Sequence, residues 1–495
     1  MFSININDNE IIIVTDDKTV EFCLVRTIEY EGFIPWKGRI GVIKKKVAVY
    51  SSKVRKTING IKAIIYKIGI GWIGYLVNVF SNLINADDAK KMKEYVMSSD
   101  YPTIPFQNLR DYQNSDVLFL LKFRIGLLQC NTSYGKTEVI STLANYYRSQ
   151  NKKVMLITPG NKARDELIKR CNIRFGLNVS TTLGDDLCCL ITSGVTNKKE
   201  YKTPEGVNNA MSLLNTYEVV LADEVEYTLS DGGKFLYSGL SKANHIYGFS
   251  GTADKYLGNM INFNQGLSDV VLRNKDVIDI FGPALVYRMP LNKVINDISI
   301  RVHALDNVKT SVTSNNIYND VMRSIWMDEN VCKAIIKVIR KFPCLFIPLN
   351  DLQSIISFWI DKFKGIFRIL LVCGKGYIYY DLDKSERKIS LDECCNLIKS
   401  GLVDVIPSTS AGYRALDFPD LKNILLIQGI IGGVVLQAIG RCARGNTFNI
   451  ITLVPYFSSR KIPVYSKGLE HRKEMINNYY KYCSIIETII NEEQL

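Results

Sequence analysis

No Cys-x-x-Cys pair occurs anywhere in this chain, and histidine is nearly missing, with only His245, His303 and His471. The twelve cysteines include two adjacent pairs, Cys188-Cys189 and Cys394-Cys395, and no histidine lies near either pair. That spacing excludes a structural zinc site and favours buried, reduced thiols over disulfides. Long apolar runs are also lacking. The longest uncharged apolar-rich stretch, residues 68–80, holds three glycines and is too short to span a bilayer. No charged-then-apolar leader opens the chain, so a soluble protein is expected, cytoplasmic, and in the host cytoplasm if the source is viral. Proline is scarce, at 13 of 495 residues, and an apolar content of 47% argues for folded domains, about three of them for this length.

Acidic residues are missing from one long stretch. Residues 32–86 contain none, while ten are basic, among them Arg39, Lys44, Lys45, Lys46, Lys53, Arg55, Lys56 and Lys62. A solvated surface mixes signs, so a one-sign segment set in a chain of net charge +13 points to a polyanion partner.

The apolar patterning divides the chain. Residues 1–98 read as a small β-rich module, with strands at 11–14, 21–28, 40–43 and 47–50, the last two flanking Lys44-Lys45-Lys46 as a hairpin tip. Residues 98–107, with Pro102 and Pro105, make a linker. From 108 to 275 strand and helix alternate, with buried strands at 153–158 and 218–222 and a helix at 162–170. From 330 the alternation restarts, with strands at 344–347, 369–372, 403–406 and 424–427. The expected fold class is α/β: two tandem parallel-sheet lobes, 99–285 and 286–495, behind a basic α+β module. The last segment, with Arg472, Lys473, Tyr479, Tyr480 and Tyr482, reads as a helical tail that packs its tyrosines on the second lobe.

Within that frame three clusters carry chemistry. Cys130-Asn131-Thr132-Ser133-Tyr134-Gly135-Lys136-Thr137 joins a short apolar strand to a helix, aiming backbone N–H groups and the Lys136 charge at an anion. Thr137 places a hydroxyl where a Mg²⁺ ion would bridge phosphates. Asp223-Glu224-Val225-Glu226 closes a buried strand, where a doubly wound sheet binds its ligand. There Asp223 suits Mg²⁺ and Glu224 suits activation of water. Gln437-Ala438-Ile439-Gly440-Arg441-Cys442-Ala443-Arg444 puts Arg441 and Arg444 on one helix face with Gln437 one turn earlier, fitting the developing charge of a γ-phosphate.

These clusters, in this order, resemble the motifs of superfamily-2 helicases across residues 107–444. Leu109-Arg110-Asp111-Tyr112-Gln113 is similar to the family's adenine-reading Q-type motif, which implies base recognition by Gln113 beside Arg110. The loop 132–137 is similar to motif I, Thr158-Pro159 with Lys162 to motif Ia, 223–226 to motif II, and Ser250-Gly251-Thr252 to motif III. Residues 409–417, from Thr409 to Asp417, resemble motif V, and 437–444 motif VI. The resemblance implies RecA-like lobes, ATP and Mg²⁺ as cofactors, and nucleic acid as partner, with Thr158, Pro159 and Thr409 near it. Cys130, Glu226 and Ala415 depart from the family pattern. Residues 32–40, around Trp36-Lys37-Gly38-Arg39, resemble a segment that precedes the motor in phage helicases that remodel branched DNA. That likeness implies DNA contacts by Trp36, Arg39 and Lys44 to Lys46, in a protein expected to be a monomer. Two other readings stay open: an RNA helicase or transcript-releasing ATPase of poxvirus type, and a non-catalytic DNA-binding scaffold.

Overall fold

A computed structural model describes residues 2–7, 10–34, 39–130, 134–192, 203–228, 231–240, 243–251, 275–282, 284–287, 293–303, 323–349, 353–374, 376–409, 421–426, 438–440, 442, 445–456, 473, 476–477, 480 and 483–495. The chain forms two compact units, residues 1–30 with 42–287, and residues 31–41 with 288–495.

The N-terminal segment holds strands β1 (Phe2–Asn7), β2 (Glu10–Thr15), β3 (Val25–Ile34), β4 (Arg39–Ala48), β5 (Tyr50–Ile58) and β6 (Ile61–Gly69), all in the first unit but for residues 31–41 of β3 and β4. Four of them make an antiparallel sheet in the order β1-β2-β6-β5, and β3 pairs with β4. Alternation on β2 and β6 turns Ile11, Ile13, Ile64, Tyr66 and Ile68 to one face, where they pack with Trp72, Leu76 and Val77. The second predicted strand differs in kind. Residues Val20–Leu24 form a helix that buries Val20 and Leu24 at i, i+4, while Glu21 turns out to meet Lys53 and Tyr50. The lysine triplet is not a hairpin tip either: β4 runs unbroken through Lys44, Lys45 and Lys46. The β-branched residues on both sides, Val42, Ile43 and Val47, favour extended backbone through the lysines.

This module is seated directly on the lobe behind it. Gly69 ends β6 so close to the helix Lys275–Phe281 that a Cβ there would lie 2.4 Å from the Asp279 carbonyl oxygen. The Trp72 indole N–H donates to the Asp279 carboxylate at the same contact.

The lobe itself is built on β7 (Ile125–Cys130), β8 (Val154–Thr158), β9 (Leu187–Ile191), β10 (Val219–Asp223), β11 (His245–Ser250) and β12 (Ala284–Tyr287). All run parallel, in the order β12-β7-β11-β10-β8-β9. Successive residues feed opposite cores. Leu128, Leu156, Leu221 and Phe249 pack on one face, and Leu127, Met155, Ile157, Val220 and Ile246 on the other. Burial on both faces is why these strands read as continuous apolar runs and not as alternating ones.

The second unit holds β13 (Val294–His303), β14 (Leu345–Pro348), β15 (Ile369–Cys373), β16 (Gly376–Tyr380), β17 (Glu386–Ile389), β18 (Val405–Ser408), β19 (Asn423–Leu426), β20 (Thr447–Tyr456) and β21 (Ser484–Asn491). Their order is β17-β16-β15-β18-β14-β19-β20-β13-β21, with the β15–β16 and β16–β17 pairs antiparallel and the remaining pairs parallel. The helix Glu329–Lys341 is capped by the Asp328 carboxylate, which accepts from the N–H groups of Asn330 and Val331, and it buries Val331, Ile335 and Val338. The tail is a correction to the helical reading. Residues 484–491 form a strand paired with β13 from Val294↔Ser484 to Arg301↔Asn491. Four isoleucines and a threonine in eight residues favour that outcome. Tyr480, just before it, is buried and meets the Phe448 ring edge-on.

At the start of β11, His245 is buried between the rings of Tyr147 and Tyr247. Burial, with the charges of Lys152 and Arg124, lowers its pKa from 6.5 to about 4. Between those values the unfolded chain takes up a proton that the native state refuses. Stability from this group is therefore complete above pH 6.5 and falls as the pH drops toward 4, by up to about 3 kcal/mol. Thermal denaturation should show a smaller loss of Tm on acidification in His245→Gln than in the wild type; equal losses would exclude His245 as the source.

Candidate functional site

The carboxyl edge of the first lobe's sheet gathers the residues that the sequence singles out. Strand β7 ends at Cys130, and the helix Lys136–Ser149 begins with Gly135 as its N-cap, at φ +91°. That left-handed backbone suits glycine, and a Cβ there would lie 2.7 Å from the Gln113 side-chain nitrogen, which would have to shift. Lys136 is the first helical residue, and with Thr137 it leads the first turn, whose N–H groups point out of the helix end and make it anion-attracting; the Glu138 N–H donates back to the Gly135 carbonyl.

Strand β10 runs parallel to β7, separated from it by β11, so Asp223 ends on the same edge. The Lys136 ammonium donates to the Glu224 carboxylate and lies 3.8 Å from Asp223 Oδ1. Burial alone would lower the Lys136 pKa; the carboxylates of Glu224 and Asp223 outweigh that and hold it well above its ordinary value. Glu224 sits at φ +48°, uncommon for a residue with a side chain, and its N–H donates to Asp223 Oδ1 at 3.0 Å. Glu224 is thereby turned toward the lysine, beside Asp223, the last residue of the strand.

Cys130, the departure at the head of the loop, is accommodated by burial. It is 1% exposed in the core with Leu128 and Val139, and desolvation pushes its thiol pKa up, so it behaves as a small apolar group.

Two of the expected nucleotide-site residues, Tyr134 and Gln113, brace the loop. Tyr134 is 2% exposed, its ring edge-on to Tyr112 and its hydroxyl donating to Asp116 Oδ2 at 3.1 Å. The Gln113 side-chain N–H donates to the Tyr134 carbonyl at 2.7 Å, and its oxygen accepts from the Arg110 N–H at 2.9 Å. Arg110 donates in turn to the Tyr112 hydroxyl. The helix Asp111–Leu120 therefore grips the loop through both the backbone and the side chain of Tyr134. Asp116 escaped the sequence reading because a lone acid in a helix carries no signal. Glu138, also unread, is held by Arg170 at 2.7 Å and Arg174 at 3.3 Å on the helix Asn161–Phe175.

Other expected residues are placed as follows. Thr158 ends β8 fully buried, so its side chain offers no surface to nucleic acid, while Pro159 is partly exposed on the edge. Ser250 and Gly251 close β11 in buried positions. In the second unit, Thr409 follows β18 and its N–H donates to the Val372 carbonyl. Lys46 is exposed, and Arg39, Lys44 and Lys45 lie on β4, described by their backbone. Trp36, Thr132, Ser133, Thr252, Asp417, Gln437, Arg441 and Arg444 lie outside the described residues.

This arrangement combines a helix N-terminus and a buried ammonium, which attract an anion, with two carboxylates that can hold a cation or accept a proton. Tyr134→Phe removes only the hydroxyl that satisfies Asp116, whose pKa burial already raises. It should cost about 1–3 kcal/mol of stability, read as a lower Tm; an unchanged Tm would show that the bond holds nothing in place.

No family model and no curated protein matches the chain. Among solved structures it is similar to UvsW of phage T4, at 15% identity over 99% of both chains and a TM-score of 0.36. It is similar to Dbp5 of S. cerevisiae bound to RNA and ADP BeF3, at 14% identity over 83% of this chain and 95% of that one, TM-score 0.48. It is also similar to the Mycobacterium smegmatis helicase Lhr bound to ssDNA and AMP-PNP, at 14% identity over 75% of this chain and 48% of that one, TM-score 0.45. Each of these likenesses is at 15% identity or less and a TM-score below 0.5, and the chemistry rests on the chain's own residues.

Proposed function

We propose that the chain is a nucleic-acid-dependent ATPase, a helicase or translocase that works on branched DNA such as forks and four-way junctions. The observation that carries this reading is Lys136, at the head of a helix behind β7, held against Asp223 and Glu224 at the end of β10 on one sheet edge. An anion-binding helix end beside paired acids is the equipment of phosphoryl transfer to water. The acid-free basic stretch from 32 to 86 supports a polyanionic partner.

On this reading the triphosphate draws Lys136 from Glu224 onto phosphate oxygens, and the released carboxylate accepts a proton from the attacking water. Thr137 and Asp223 offer oxygen donors only, which suits a hard divalent ion; Mg²⁺ held there would neutralise phosphate charge. Gln113 and the Tyr134 anchor keep the loop backbone in place. Arg441, Arg444 and Gln437 are assigned to the γ-phosphate, from their helical spacing in the sequence. Trp36, Arg39 and Lys44 to Lys46 are assigned to DNA.

ATP hydrolysis measured with single-stranded, duplex, forked and four-way DNA, and with single-stranded RNA, tests the reading. Branched DNA should stimulate most. Lys136→Ala and Glu224→Gln should each lower kcat by roughly 10²–10⁴-fold. Stimulation by RNA alone would replace DNA as partner, and no hydrolysis with any polymer would leave only a binding scaffold.

A further inference from the structure

The hairpin of β5 and β6 carries charge that the nucleotide site does not use. Its turn, Asn59-Gly60, has positive φ at both residues, 49° and 80°, the tight form that matches the twist of two paired strands. The base of the ribbon is anchored, since Ile64, Tyr66 and Ile68 are buried in the module's core. Further out, Arg55, Lys56, Thr57 and Lys62 are exposed, with Val54 and Ile61 exposed beside them.

The cations of this ribbon fall into two groups. Lys53 pairs with Glu21 and Lys67 with Glu10. Arg55, Lys56 and Lys62 have no ion pair among the described residues. Arg55 stands opposite Ile64 and Thr57 opposite Lys62, so Arg55 and Lys62 share one face; Lys56, opposite Ala63, lies on the other. Charges on an edge strand can serve to block unwanted strand pairing. β5 is an edge, and beyond Ile64, where its pairing with β2 ends, β6 is one too, so Arg55, Lys56 and Lys62 all lie on a stretch of ribbon only two strands wide.

We propose that the β5–β6 ribbon is a phosphate-contacting arm for a nucleic-acid duplex. A two-stranded ribbon fits a duplex groove, and cations on both of its faces would meet the phosphate backbones that border such a groove. Contacts of this kind need charge and position, not sequence, so the arm binds without sequence preference. This inference rests on the nucleic-acid reading above and adds a surface to it.

The test is binding of the full chain to forked DNA, followed by fluorescence anisotropy across about 50 to 300 mM salt. The variant Arg55→Gln/Lys56→Gln/Lys62→Gln is compared with Lys67→Gln/Lys90→Gln/Lys91→Gln, which removes the same charge from residues paired with Glu10, Glu94 and Asp88. The first should bind roughly tenfold or more weakly and reduce the slope of log affinity against log salt by about 2–3. The control should stay close to wild type, and basal ATP hydrolysis should be unchanged in both. Equal behaviour of the two variants, or a loss confined to single strands, would overturn the arm. A wild-type chain that binds no nucleic acid would overturn the parent reading as well.

Discussion

A buried ammonium flanked by two carboxylates is the constraint around which the first lobe is arranged. Desolvating Lys136 is unfavourable unless counter-charge lies within a few ångströms, and Glu224 and Asp223 supply it. The ladders that pair β7 and β10 with the strand between them, β11, bring the lysine and the two acids to one edge. Glu224 accepts a left-handed backbone conformation to reach the lysine. The lysine is thus ion-paired to both acids.

The parts of the site that a sequence can reveal are those where chemistry dictates residue type at fixed spacing. Gly135, Lys136 and Thr137 must be contiguous to shape one helix end, and Asp223 with Glu224 must close a strand, so both are legible. The supports are not. Asp116 meets Tyr134 only because the helix Asp111–Leu120 lies across the loop, and no spacing rule predicts that contact. Tyr134 reads as a ligand residue from its motif, whereas its ring fills the core.

The fold shows the same division. The first lobe's strands are legible because burial on both faces makes them continuously apolar. β21 is harder, since Ser484–Asn491 is largely exposed along its length and its strand character comes from pairing with β13, almost 200 residues earlier in the chain. The lysine triplet misleads in the opposite way. Charge suggests a turn, yet β-branched neighbours keep the backbone of β4 extended.

The seating of Gly69 and Trp72 on Asp279 has a mechanical consequence. The helix that carries Asp279 is followed by β12, which pairs with β7, the strand that leads into the loop before Lys136. A load placed on the basic module is therefore carried through backbone contact and paired strands to within one residue of that loop. The module is in this way a handle seated on the lobe. A fragment that began after residue 98 would lose that handle and would leave the helix Lys275–Phe281 bare along the side Trp72 now covers.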